Sequence, residues 1–433
     1  MDYSTKLTYL IVNAVMYLLL LYIYQKKKKR IDIGSFIIGA WVVGSIGSVW
    51  YYTKPLTPPS YPRITMWPMI YIFILNLIMF YPFLRCNYSD IRKVETFKLD
   101  KVFRTMSIIF GLCSAPPLLN LLYDLTTTSL VGSFLVDMYN SDENKADLLL
   151  LPLIKPLFTV IRHFPDFVIF LLFYNLAKKK INKGIVLGLV SATAVQFLFT
   201  MLCGSRGGIL TLAIRILFYA FFMRSMIPNK IFRKFIRISV ASFVFVVIGL
   251  SLISISRLDA FHKKGGRNRE MSTWISQYMG EGIVRFDDTI WYNENPIGGR
   301  QTLPFAFSLF DPIVKDSDKY IARNERLSKE ILTVFYTYIG DFYIDFGRAG
   351  TILVIIILSM VTTSLLKTRH QAISIFRLLP LCWMFTMVTV GITADVFRTY
   401  YTQLQLFEQG LLMVILYFIQ LKTKYHRTPI RIK

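Results

Sequence analysis

The 433-residue chain is 54% hydrophobic and only 18% charged, with a mean hydropathy of +0.48, which excludes an ordinary soluble enzyme. Its net charge of +24 does not indicate nucleic acid, because the cations lie in short blocks between long apolar runs rather than along a binding stripe. No nucleic-acid partner is expected; the bilayer is.

Apolar runs of about 18 residues or more predict membrane-spanning helices, since hydrocarbon offers no partner to open backbone groups. Eleven are expected, near 7–25, 31–52, 64–84, 105–125, 151–177, 184–203, 208–223, 238–256, 345–366, 378–395 and 403–421. The first is preceded by Lys6 and followed by Lys26–Arg30, the wrong flanks for a cleaved signal peptide, so it reads as a retained span. Cys86, Cys113, Cys203 and Cys382 lie in or beside apolar runs and predict neither a disulfide nor a metal site.

One set of short loops carries 28 Lys and Arg, the opposite set only six. The rich side is read as cytoplasmic, with the N-terminus outside and the C-terminus inside. A long segment, 257–330, falls on the outer side with 12 basic and 11 acidic residues, scattered aromatics and repeated glycine turns. It reads as a small folded cap of short helices and turns, preceded by spans one to eight (1–256) and followed by spans nine to eleven with a basic tail (331–433).

Four cations fall at membrane depth: Lys155, Arg162, Arg215 and Arg348. Arg162 and Asp166, four apart, read as a self-neutralising pair on one helix face or as a substrate contact. Arg215 either pairs with Asp166 across the bundle or lines a cavity. Lys155 and Arg348 are placed to snorkel.

Three features could carry chemistry. Cys203-Gly204-Ser205-Arg206-Gly207-Gly208 is an outer turn at a helix N-terminus, where open N–H groups and an Arg suit a phosphate; the plainer reading is a tight turn with an interfacial Arg. Tyr338 to Arg348 places Asp341 and Asp345 on one helix face, with Arg348 three residues beyond, to orient a sugar, accept a proton or form a structural Asp–Arg pair. Trp274 to Asp288 combines Tyr278, Glu281 and Arg285, with Glu281 as a candidate general base and ordinary loop surface as the alternative. His262 ranks below Glu281. Walker loops, HExxH and GxSxG are missing, so acids, bases and arginines are left to do the work.

At these residues the chain resembles a known family. Gly204-Ser205-Arg206-Gly207-Gly208 is similar to the Ser-Arg-Gly turn of bacterial O-antigen polymerases and ligases. Tyr278 to Phe286 and Gly340 to Gly350 resemble the loop and the Gly-Asp-x-x-x-Asp-Phe-Gly-x-x-Gly segment of Wzy-type oligosaccharide repeat-unit polymerases. Arg269 precedes Gly280 by eleven positions, a spacing similar to one in that family.

The resemblance implies an all-α integral membrane enzyme of glycosyltransferase C-like architecture in a bacterial plasma membrane. It would polymerise undecaprenyl-diphosphate-linked oligosaccharides into O-antigen or capsular polysaccharide on the outer side, without metal or cofactor, and a chain-length regulator is a conceivable partner. In that reading Arg206, with Arg285 and Arg348, would hold the diphosphate; Glu281 and Asp341 would be catalytic; and Tyr278, Asp345 and Arg398 would contact substrate. Related ligases rely on an outer-loop His that His262 does not match. A lipid-linked oligosaccharide flippase and an O-antigen ligase are the alternatives.

Overall fold

Long apolar segments satisfy their own backbone by forming helices, and the computed structural model is built almost entirely of them. It describes residues 2–54, 61–96, 99–127, 149–203, 205–237, 271–332, 335–368 and 371–425. In chain order the helices are α1 (Tyr3–Lys28), α2 (Ile33–Thr53), α3 (Met66–Arg85), α4 (Asp100–Thr127), α5 (Lys155–His163), α6 (Pro165–Leu176), α7 (Lys183–Leu202) and α8 (Arg206–Phe222). They continue with α9 (Met271–Asp288), α10 (Pro304–Phe307), α11 (Ser317–Ser328), α12 (Thr337–Leu365), α13 (Ile375–Val390) and α14 (Tyr400–Tyr425). Two three-residue strands, β1 (Lys93–Glu95) and β2 (Ala372–Ser374), pair in parallel with Lys93 opposite Ala372.

Among the described residues seven helices are long and apolar enough to cross a membrane: α1, α2, α3, α4, α7, α12 and α14. The α5–α6 pair, bent by 75° at its junction, would make an eighth. This is an all-α polytopic membrane architecture. The expected spans at 208–223 and 378–395 correspond to α8 and α13, which are apolar but only 17 and 16 residues long. The expected span 238–256 and the part of the expected cap from 257 to 270, with His262 and Arg269, lie outside the described residues.

The chain divides into two units, the first comprising Met1–Asn87, Arg269–Lys367 and Trp383–Leu404, the second Tyr88–Asn268, Thr368–Cys382 and Gln405–Lys433. In the first unit α9 packs along α2, with Gly280 set against the backbone of Gly47 and Ser48. Only paired glycines let two helices approach so closely. A buried polar chain then ties three helices: Asn76 Nδ2 of α3 donates to Tyr17 Oη of α1 at 2.7 Å, and Tyr338 Oη of α12 donates to Asn76 Oδ1 at 2.9 Å. The indole of Trp41 in α2 donates to the carbonyl of Val388 in α13 at 2.9 Å.

In the second unit the same device recurs, with Gly111 of α4 on Gly188 of α7. There Ser114 Oγ donates to Gly188 O at 3.3 Å. α6 is buried along most of its length, and Phe103, Phe167, Phe170 and Tyr174 stack edge to face around it. No disulfide links the four cysteines.

Three local expectations are corrected. Arg162 and Asp166 do not share a helix face, because α5 ends at His163 and α6 begins at Pro165, which lacks the N–H needed to continue the ladder. Asp166 pairs instead with Arg215 Nε of α8 at 3.1 Å, the cross-bundle alternative. Arg348 does not pair with Asp345, because Gly347 (φ 66°, ψ −173°) breaks α12 between them. The Arg348 guanidinium lies over the Trp291 ring, 3.9 Å from its centroid. Finally, the described part of the segment expected as a cap of short pieces, from residue 271 on, begins with an 18-residue helix, α9, laid along α2; from Ile290 onward it is short helices and turns.

Candidate functional site

Most of the candidate residues lie in the first unit, where α9, the opening turns of α12 and the loop between α13 and α14 bring ionisable groups inward. On α9, Gln277, Glu281 and Arg285 follow at four-residue spacing and therefore share a face. Gln277 Nε2 donates to Glu281 Oε2 at 2.9 Å, and Arg285 Nη1 stands 3.7 Å from Glu281 Oε1. Glu281 is buried, and burial pushes its carboxyl above the ordinary range despite Gln277 and Arg285. A raised pKa suits a group that must take up a proton near neutral pH. The hydroxyls of Tyr51 and Tyr61, 2.5 Å apart, lie within the electrostatic reach of both Glu281 and Arg285.

The second cluster begins where α12 starts. Residues 336–338 are held by the loop after α13: Tyr336 N and Thr337 N donate to Thr393 O, and Tyr338 N donates to Gly391 O. This fixes Asp341 and Asp345 one turn apart, both buried. Asp345 is saturated by the backbone of Gln301 and Thr302, at 2.9 and 2.6 Å, and by the Thr302 hydroxyl at 2.6 Å. That reads as a clamp holding the 299–303 turn. Asp341 keeps more freedom. One oxygen accepts Asp395 N at 2.6 Å, while the other faces Gln301 Nε2 at 3.3 Å and Arg398 Nη1 at 3.6 Å.

Arg398 also covers the Tyr336 ring, 5.3 Å from its centroid. Tyr336 is fully buried; its hydroxyl accepts from Gln301 Nε2 at 2.9 Å and donates to Leu332 O at 3.2 Å. It lies in the fields of Arg398, Asp341, Asp345 and Arg285, so it stands between the two clusters. Beside it, burial and the neighbouring Asp341 charge raise the Asp395 carboxyl to about 7.

The structure thus brings Glu281 and Arg285 together, and Asp341, Asp345 and Arg398 together, with Tyr336 common to both. Tyr278 is one position from Gln277 and packs its ring on Phe335, 4.9 Å between centroids. Arg348 is not with them: it sits in an aromatic nest of Trp291, Tyr71, Tyr343 and Phe286. Arg206 is the first residue of α8 in the second unit, capped by Ser205, whose hydroxyl accepts Gly208 N at 3.4 Å. The Arg206 side chain and Gly204 lie outside the described residues. Gly208 is needed for packing, since a Cβ there would strike Thr200, whereas one on Gly207 would meet open space.

Sequence reasoning passed over Asp395, Tyr336, Gln301 and the Tyr51–Tyr61 pair. Asp395 alone left a signal, as an acid three residues before Arg398 between two apolar runs. Among the described residues no group of three or more His, Cys, Asp and Glu side chains is arranged to hold a metal ion. No protein-family model matches the chain, and neither a curated protein nor a solved structure is significantly similar to it.

Proposed function

We propose that the chain is a membrane glycosyltransferase that polymerises polyprenyl-diphosphate-linked oligosaccharides on the extracytoplasmic face of a bacterial plasma membrane. The observation that carries this reading is the buried double cluster of the first unit, in which two arginines, Arg285 and Arg398, flank Tyr336 with Glu281 and Asp341 beside them. Fixed guanidinium groups stabilise charge that develops on a leaving diphosphate, and they need no reorganisation at the moment of reaction. A carboxyl with a raised pKa can accept the proton of an attacking hydroxyl.

In the proposed step the acceptor sugar hydroxyl attacks the anomeric carbon of the growing glycan. The bond from that carbon to the diphosphate oxygen breaks, and the lipid diphosphate departs with the electron pair toward Arg285 and Arg398. The hydroxyl proton passes to Glu281 or Asp341. Arg348 is withdrawn from the diphosphate role by its place over Trp291.

The deciding experiment uses purified full-length protein in liposomes with lipid-linked repeat units, with products resolved by length on a gel. Long polymer from the wild type and none from Arg398→Lys supports the reading, because Lys keeps the charge but loses the planar fork. No polymer from the wild type overturns it. The broken α5–α6 span favours a second reading, a lipid-linked oligosaccharide flippase, since transporters build sites at discontinuous helices. Movement of labelled units across the liposome without polymer would establish that reading instead.

A further inference from the structure

The second unit holds a polar helix break that the proposed chemistry does not use. At Phe164 the α5–α6 span breaks with a bend of 75°. The carbonyls released at the end of α5 are taken up by side chains from other helices. Gln196 Nε2 of α7 donates to Ile161 O at 3.3 Å, and Gln405 Nε2 of α14 donates to Arg162 O at 3.2 Å. His163 Nδ1 pairs with Glu408 of α14. Beyond the break, Asp166 in the first turn of α6 pairs with Arg215.

Ionisable groups at membrane depth face protein or water, not lipid. The side chains of His163 and Glu408, beside the break, remain 28% and 30% exposed, so the pair is reachable from outside the packed helices. Gln405, Glu408 and Gln409 occupy one face of α14 at spacings of three and four. The first two reach the break. The third, Gln409, is only 1% exposed, and neither its amide nitrogen nor its amide oxygen has a hydrogen-bond partner. Leaving such groups unmade is costly, so the site calls for something that offers a donor and an acceptor together.

The charges at the break cancel, with Arg162 and Arg215 against Asp166 and Glu408. A free anion or cation gains nothing there. What remains are amides, a His–Glu pair, and the half-buried Phe164 ring. Hydroxyl groups, each both donor and acceptor, match that set.

We infer that the broken span is a second binding site, which takes an uncharged, hydroxyl-rich sugar residue of a lipid-linked saccharide and reads it through Gln409. The inference rests on the substrate class proposed above but on none of the same residues.

The probe is the oligosaccharide released by mild acid from the cell's own polyprenyl-linked lipids. It is titrated into purified full-length protein, and protection against thermal unfolding is followed. Wild type is protected, and Arg398→Ala keeps the protection. Gln409→Leu loses at least tenfold in apparent affinity while unfolding no earlier without ligand, because an unpaired amide has been replaced by an apolar group of similar size. Gln409→Met repeats the result should Leu disturb the packing. Protection that survives in Gln409→Leu but vanishes in Arg398→Ala overturns the inference and leaves the catalytic reading standing. No protection of the wild type also overturns the inference, while the catalytic reading stands or falls on polymer formation in the liposome assay.

Discussion

Gly280 of α9 lies directly on the backbone of Gly47 in α2, with no room for a side chain on either. Gly280→Leu would wedge the helices apart, and overpacking of this kind costs about 1–3 kcal/mol. The expected outcome is a clear drop in unfolding temperature of the solubilised protein, measured by fluorescence-detected size exclusion. Gly207→Ala, whose new methyl group meets open space, leaves that temperature unchanged.

The Asp166–Arg215 pair is buried, so removing one partner strands a charge. Asp166→Asn and Arg215→Leu are each expected to destabilise by about 3–5 kcal/mol. The double replacement should cost less than the sum of the single ones. Additive losses in a double-mutant cycle would show that the two groups act independently.

Two carboxyls outside the spans are pushed upward by burial, Asp287 to about 8 and Asp395 to about 7. The folded protein therefore binds more protons than the unfolded chain above the ordinary carboxylate value near 4. Their stabilising contribution is complete at acid pH. It is lost progressively from about pH 4, the loss being complete near 7 for Asp395 and near 8 for Asp287. Asp287→Asn, which keeps an oxygen for Thr65 N, should gain on wild type in thermal unfolding progressively as pH rises from about 4 to 8, with the advantage constant above that. A gap that is constant with pH would mean that Asp287 titrates normally.

From the sequence Arg348 was the candidate for the diphosphate and Arg398 for a substrate contact, yet their surroundings separate them differently. Arg398 faces Asp341 at 3.6 Å, while Arg348 lies over Trp291. Arg398→Ala is expected to cut polymer formation by about 100-fold or more, the scale of losing a preorganised charge-stabilising donor. Arg348→Gln should retain most of the activity and lose some stability. Polymer yield per mole of reconstituted protein measures both.

That the chain is a set of membrane helices was readable because composition alone demands them; the two glycine contacts were not, since Gly280 reads as a turn and Gly47, Gly111 and Gly188 carry no mark of their partners. What was not readable depends on single residues that interrupt a repeat. Pro165 splits Arg162 from Asp166, and Gly347 splits Asp345 from Arg348, so both apparent pairs dissolve. α9 reads as loop because Glu281, Arg285, Asp287 and Asp288 break its hydropathy; two of these, Asp287 and Asp288, bind the chain at Thr65 and Arg63 just before α3. Asp341 and Asp345 were found by their shared face. Tyr336, Gln301 and Asp395 were not, since only the backbone bonds from Thr393 and Gly391 and the turn at 299–303 bring them to that face.

Each of the two units is completed by a stretch from the far end of the chain, Trp383–Leu404 for one and Gln405–Lys433 for the other. During synthesis neither can close until the last quarter has left the ribosome. Until then the first two hundred residues must wait in the bilayer with Trp41 and Asp166 lacking the Val388 and Cys382 they finally meet. A protein so wired has no halfway stopping point: cut in the middle, it would yield two fragments that complement one another only when made together.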